Sequence, residues 1–111
     1  MSPSLLNITP ELTASVATKT AAVKALLTDI AGHWSPAAFA NSLGAEDMVL
    51  TDLIVKAKLP IEIFSLDTAR LPPETYDLMA AVHKHYGLKL KVYFPQAEEV
   101  ESYVRQHGIN A

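Results

Sequence analysis

The sequence predicts an α/β protein built on an open parallel β-sheet, and three observations predict it. After a leading helical stretch, a strand pattern followed by a helix pattern recurs three times. The joining segments are short. Gly and Pro punctuate the pattern, at Gly44, Pro60, Pro73, Gly87, Pro95 and Gly108. That order calls for parallel strands joined by right-handed crossovers, with helices packed against the sheet.

Each element has a local reason. Thr9-Pro10-Glu11 is a helix start, with a hydroxyl cap, proline in the first turn and then an acid. Val16, Val23, Leu26, Leu27, Ile30 and Trp34 follow at helical spacing, which predicts a long amphipathic helix ending near Gly32 with Trp34 packing it onto the domain. Ala37 to Asn41 is a short apolar strand, poor in β-branched residues. Ser42-Leu43-Gly44 reads as a turn. Glu46 and Asp47 stand where a first helical turn prefers acids, and Val49, Leu50, Leu53, Ile54 and Ala57 give the new helix one apolar face. Ile61 to Leu66 is a clear strand and Asp67 to Pro73 a loop. A helix from about Pro73 carries Tyr76, Met79, Val82 and Tyr86 and closes at Gly87. Leu88 to Phe94 alternates, with Leu88, Leu90, Val92 and Phe94 on one side and Lys89, Lys91 and Tyr93 on a wetter one. The last helix runs from about Ala97 to His107, closed by Gly108.

The chain has 111 residues, half of them apolar, enough for one small core whose stability is marginal without a partner. The expected organisation is a helical segment over 1–35 and an α/β domain over 36–111, which the family resemblance given below makes a partial nucleotide-binding domain. A formal charge of −3 argues against nucleic acid and against an acidic membrane surface. No stretch is long and apolar enough to span a bilayer. Met1 to Thr9 lacks the basic residue and apolar run of a signal peptide, and a cytoplasmic location is expected. With no cysteine, the chain holds no disulfide, thiolate metal site, iron–sulfur cluster or thiol nucleophile. His83 and His85, two apart on a predicted helix, point to different faces, so no metal site is expected.

In a parallel sheet, ligands bind at the carboxyl ends of the strands. Two loops there carry polar side chains, and each has two readings. In Ser42 to Asp47, Gly44 and a helix amino terminus suit an anion, while Glu46 and Asp47 repel a bare phosphate and favour an ordinary capped turn. In Asp67 to Arg70, Arg70 suits an anionic ligand and Thr68 a ribose or base. Alternatively, Asp67 or Thr68 caps backbone N–H groups and Arg70 lies at the surface.

Taken together the loops are more specific. Phe39-Ala40-Asn41-Ser42-Leu43-Gly44-Ala45-Glu46-Asp47-Met48-Val49-Leu50 resembles the modified PP-loop of the assimilatory sulfonucleotide reductases, the adenylyl-sulfate and phosphoadenylyl-sulfate reductases. Ile63 to Tyr76 looks like the second signature of that family, and His85-Tyr86-Gly87 and Val92-Tyr93-Phe94-Pro95 continue the similarity. The wording is closer to the bacterial adenylyl-sulfate branch, which carries a 4Fe-4S cluster.

The resemblance implies a Rossmann-like parallel sheet of the adenine-nucleotide α-hydrolase type, truncated and preceded by a helix. It implies a reaction in which a carboxyl-terminal cysteine attacks the sulfonucleotide sulfur, AMP or its 3′-phosphorylated form leaves, and thioredoxin or glutaredoxin releases sulfite. Carried over by position, Ser42, Leu43 and Gly44 line the adenosine pocket, Leu66 contacts the adenine, and Thr68 and Arg70 lie close by. Ala69 stands where the family commonly has glycine, and Leu43 where it often has phenylalanine. The family's cysteine-pair region, later basic residues and terminal nucleophile are not found here. The expectation is therefore an amino-terminal portion, with no catalytic residue, inactive as a reductase alone and oligomeric through an uncovered sheet. A stand-alone adenine-nucleotide-binding or interaction module is the alternative.

Overall fold

The computed structural model describes residues 7–110, so Met1 to Leu6, most of the stretch judged unlike a signal peptide, lie outside the described residues. In chain order the elements are α1 (Pro10–His33), β1 (Ala37–Ala40), α2 (Ala45–Lys56), β2 (Ile61–Leu66), α3 (Pro73–Tyr86), β3 (Lys91–Tyr93) and α4 (Ala97–His107). The strands form a parallel sheet in the order β1-β2-β3, Ala37 pairing with Ile61 and Phe64 with Lys91. The α/β class and the parallel arrangement follow the sequence expectation.

The two faces of the sheet differ. Ile61, Ile63 and Ser65 point to the covered side of β2 and are buried, while Glu62 and Leu66 on the other side are exposed. Ile61 and Ile63 form the core with Ile54 of α2 and Ala31 of α1, and Leu27, Phe39, Val55, Leu88 and Leu90 pack around them. On the opposite side Ala38, Ala40, Glu62, Leu66, Lys91 and Tyr93 are exposed and Phe64 is half-buried. Phe64 and Tyr93 meet edge-to-face with ring centroids 5.6 Å apart. Lys91 reaches Glu62 at 3.7 Å and lies 5.2 Å from the Tyr93 ring centroid.

α1 starts as its sequence predicts, Thr9 Oγ1 accepting the Leu12 N–H at 3.0 Å with Pro10 next. Its apolar stripe is another matter. Only Ala31 is buried; Val23, Leu27 and Ile30 are half-buried, and Leu12, Val16 and Leu26 are exposed. Trp34 does not pack the helix onto the domain, being 72% exposed. The helix meets the core only through its last turns, and Trp34 follows as the cap, its N–H bonded to Ile30 O.

β3 is also shorter than the alternation over Leu88 to Phe94 predicts. β2 ends at Leu66, which pairs with Tyr93, so the ladder takes in only Lys91 to Tyr93. Leu88 and Leu90 reach the core from the connecting segment instead, and Phe94 is 66% exposed. α4 spans the expected residues but buries none of them, leaving Val100 and Tyr103 exposed.

Beneath the β1–α2 junction lies a polar pair. Asn41 and Thr51 are 3% and 0% exposed, and Asn41 Nδ2–H donates to Thr51 Oγ1 at 2.9 Å while the Thr51 hydroxyl donates to Asp47 O at 2.8 Å. Replacing Thr51 by Val keeps the shape and strands the Asn41 amide. We expect Thr51→Val to cost about 1–3 kcal/mol in urea unfolding, and Thr51→Ser, which keeps the hydroxyl, to cost less.

Candidate functional site

At the carboxyl ends of β1 and β2 an open cleft of about 280 Å³ is lined by Ala40, Asn41, Ser42, Ser65, Leu66, Leu71 and Thr75. β1 supplies Ala40, β2 supplies Ser65 and Leu66, and the first turn of α3 supplies Thr75. The position is the one that a parallel sheet reserves for ligands.

The two loops that frame the cleft are built alike. Each strand runs into an Asx residue whose side-chain oxygen turns back onto the backbone two residues ahead. Asn41 Oδ1 accepts the Leu43 N–H at 2.8 Å, and Asp67 Oδ1 accepts the Ala69 N–H at 2.7 Å. The next hydroxyl repeats the device, Ser42 Oγ accepting from Gly44 N–H and Thr68 Oγ1 from Arg70 N–H, both at 3.3 Å. Leu43 and Ala69 take the same left-handed backbone, with φ of 67° and 66°. Asx and Ser/Thr side chains stabilise such turns by standing in for backbone acceptors. Both loops are tied further into the fold. The Asn41 N–H bonds Phe64 O and the Asp67 N–H bonds Tyr93 O. The Tyr76 hydroxyl donates to Asp67 Oδ1 at 2.7 Å, and that bond raises the Tyr76 pKa.

These bonds decide what the β1–α2 loop offers a ligand. The N–H groups of Leu43 and Gly44 bond within the loop, and that of Ser42 donates to Asp47 Oδ2 at 2.7 Å. In this structure all three N–H groups are engaged within the β1–α2 segment, as in a capped turn. The Ser42 hydroxyl and N–H beside Asp47 hold its carboxyl below the usual aspartate value. The β2–α3 loop is likewise self-capped, and Arg70 is exposed.

The predicted site residues are distributed as follows. Ser42 and Leu66 line the cleft. Leu43, 8% exposed, lies within the loop rather than along the cleft, and Gly44 is the residue before α2. Thr68 and Arg70 line a second hollow with Pro95, Glu99, Val100, Tyr103 and Val104 of the β3–α4 region. Sequence reasoning missed Asn41, Ser65, Leu71 and Thr75. Asn41 carried a signal, since Asn41-Ser42 and Asp67-Thr68 repeat one Asx–hydroxyl pair after successive strands. Ser65 carried one too, as a polar residue on the buried phase of an otherwise apolar strand.

Comparison with known proteins agrees with this frame. The family profile described as the phosphoadenosine phosphosulfate reductase domain matches residues 36–110. The adenosine 5′-phosphosulfate reductase of Allochromatium vinosum is 43% identical over 98 residues, 88% of this chain and 38% of the relative. That of Burkholderia cepacia is 42% identical over 104 residues, 94% of this chain and 40% of the relative. The probable 5′-adenylylsulfate reductase 1, chloroplastic, of Oryza sativa subsp. japonica is 47% identical over 66 residues, 60% of this chain and 14% of the relative. The chain thus spans well under half the length of these relatives.

Two outcomes test the loop architecture. Ala69 sits in a left-handed conformation that costs a side-chain-bearing residue about 1–2 kcal/mol, partly offset in glycine by its greater freedom when unfolded. Ala69→Gly is expected to stabilise the fold by about 0.5–1 kcal/mol in urea unfolding. For Asp47 the folded pKa is lowered, so its stabilisation is present above the unfolded value of about 4 and is lost as pH falls through the folded value. The Ser42 amide resonance followed by NMR should shift in that acidic window, and Asp47→Asn should remove the transition.

Proposed function

The chain belongs to the phosphoadenosine phosphosulfate reductase domain family, and from that premise we propose that it is the amino-terminal, adenine-nucleotide-binding portion of a sulfonucleotide reductase. The observation that carries the reading is the cleft at the carboxyl ends of β1 and β2, lined by Ser42 and Leu66 from the two motifs of the family resemblance. The relatives' names favour adenylyl sulfate over its 3′-phosphorylated form as the substrate of the whole enzyme. That enzyme would reduce activated sulfate to sulfite with release of AMP, in sulfate assimilation in the cytoplasm, thioredoxin or glutaredoxin supplying electrons.

The role of these residues in that reaction is binding. The cleft combines apolar walls from Ala40, Leu66 and Leu71 with hydroxyls from Ser42, Ser65 and Thr75, a lining suited to a base and sugar. No cationic side chain lines it, so the phosphosulfate end of the substrate needs partners other than these seven residues. The chain contains no cysteine, so it offers neither the attacking thiolate nor ligands for an iron–sulfur cluster, and no step through such a cluster is assigned to it. In this reading the 111 residues alone bind nucleotide and do not reduce it.

A second reading, assembly with further copies, is favoured by the uncovered sheet face that carries Phe64, Leu66 and Tyr93. Parallel sheets are ordinarily covered on both sides, and an exposed apolar face of this kind recruits protein.

Isothermal titration of the pure chain with AMP and with adenylyl sulfate tests the first reading. Saturable binding of both with similar affinity is expected, together with no thioredoxin-dependent sulfite release. Absence of binding at millimolar ligand would remove the nucleotide reading, and sulfite release would overturn the binding-only role. Light scattering across a wide concentration range tests the second, a monomer throughout being the outcome against it.

A further inference from the structure

α1 spends little of its surface on the domain. Leu27 and Ala31 face the core, and the other apolar residues of the helix follow a different line. Leu12, Val16, Lys19, Val23, Leu26 and Ile30 recur at alternating intervals of four and three, the spacing of a seam between two helices. Leu12, Val16 and Leu26 are exposed, and Val23 and Ile30 are half-buried. Lys19 carries the one charge in the row. Ile8 precedes the Thr9 cap and Trp34 is the carboxyl-terminal cap, and these two side chains are 75% and 72% exposed. Because α1 meets the core only through its last turns, the chain is extended. Its radius of gyration is 18.0 Å, against about 13 Å for a compact chain of about 100 residues.

We propose that this seam is a contact between two copies of the chain, their α1 helices lying antiparallel about a two-fold axis near Ala21. In that register Leu12 meets the partner's Ile30, Val16 the partner's Leu26 and Lys19 the partner's Val23. Ile8 comes level with the partner's Trp34, so the two exposed side chains outside the helix ends lie together. The row is thus self-complementary, as a two-fold contact between identical chains requires. Lys19 selects the direction. A parallel pair sets both ammonium groups in one layer, whereas the antiparallel pair sets each against a valine and offsets them by about 6 Å along the axis. The long stem then carries each charge out to solvent. A single charged residue in a seam commonly fixes register in this way. Opposed helix dipoles favour the same direction. The flanking residues Thr13, Ser15, Thr20 and Ala22 are small and uncharged, so the two backbones can approach closely. One helix face buries less than the roughly 800 Å² per partner of a standard interface, so the dimer is reversible. The contact is separate from the uncovered sheet face.

The test is self-association of the whole chain, followed by sedimentation equilibrium up to millimolar concentration, with circular dichroism to establish that each variant is folded. Wild type should dimerise, and the emission of Trp34, the only tryptophan in the chain, should move to the blue as it does so. Leu26→Lys, at an exposed position, should raise the dimer dissociation constant more than about 100-fold, since two leucines leave the seam. Lys19→Leu should lower it at least about tenfold. Tyr93→Ser, on the uncovered sheet face, should leave it within about twofold. The chain has no cysteine, so introduced thiols report direction. Val16→Cys and Leu26→Cys chains should cross-link to each other when mixed, and neither to itself. A monomer at millimolar concentration overturns the proposal. A dimer that survives Leu26→Lys and is lost in Tyr93→Ser places the contact on the sheet face and overturns it as well. Self-cross-linking of Val16→Cys marks a parallel pair and overturns the antiparallel arrangement.

Discussion

The geometry of the cleft depends on one buried side chain. Asn41 ends β1, and its amide group faces two ways at once, towards Thr51 in the middle of α2 and towards the backbone of the loop between them. Its backbone N–H extends the sheet by one further bond to Phe64 O. One residue therefore sets the distance from strand to helix and the path of the chain that joins them. Inside a protein such bonds are strong because no water competes, and for the same reason a mismatch is severe. Leu43 can hold φ of 67° because the loop is bonded on either side of it. Asp67 does the same for the next crossover, with Tyr76 from α3 in the place that Thr51 takes for Asn41. The two crossovers thus present their loops to the cleft in one conformation.

How much of this was legible in the sequence depends on whether the cause was local. The helix starts at Thr9-Pro10 and the αL cap at Gly87 are short-range signals, and both are read directly. So is β2, whose apolar residues leave no other use for them. Trp34 was misread because helical spacing says which residues share a face but not whether anything stands opposite. α1 meets the core only through its final turns. The extent of β3 was misread because a ladder is as long as its partner allows, and β2 ends at Leu66. In the site, Ser42 and Leu66 were found from motif wording. Ser65 and Thr75 were not, because whether a hydroxyl lines a cleft is a property of its neighbours in space.

The division of polar and apolar groups has a further side. The helix-covered face of the sheet carries the small core, while the other shows Phe64, Leu66 and Tyr93 beside a Lys91–Glu62 pair. Leu66 belongs to both descriptions, since it lines the cleft and projects from the uncovered face at 61% exposure. Anything laid on that face therefore touches a wall of the cleft.

The strand order has a bearing on how the molecule comes into being. Because β1, β2 and β3 lie in the sheet in the order in which they occur in the chain, each strand docks on the one made just before it. A ribosome releases the chain from its amino terminus, at a pace slow beside the microseconds in which helices and short loops close. Each pairing among these three strands can thus form as soon as its second strand emerges. Growth by accretion keeps sequence separations short, which in parallel sheets is the main relief from slow folding. The nascent protein can add one strand and one helix at a time, and the two self-capped loops close each addition before the next begins.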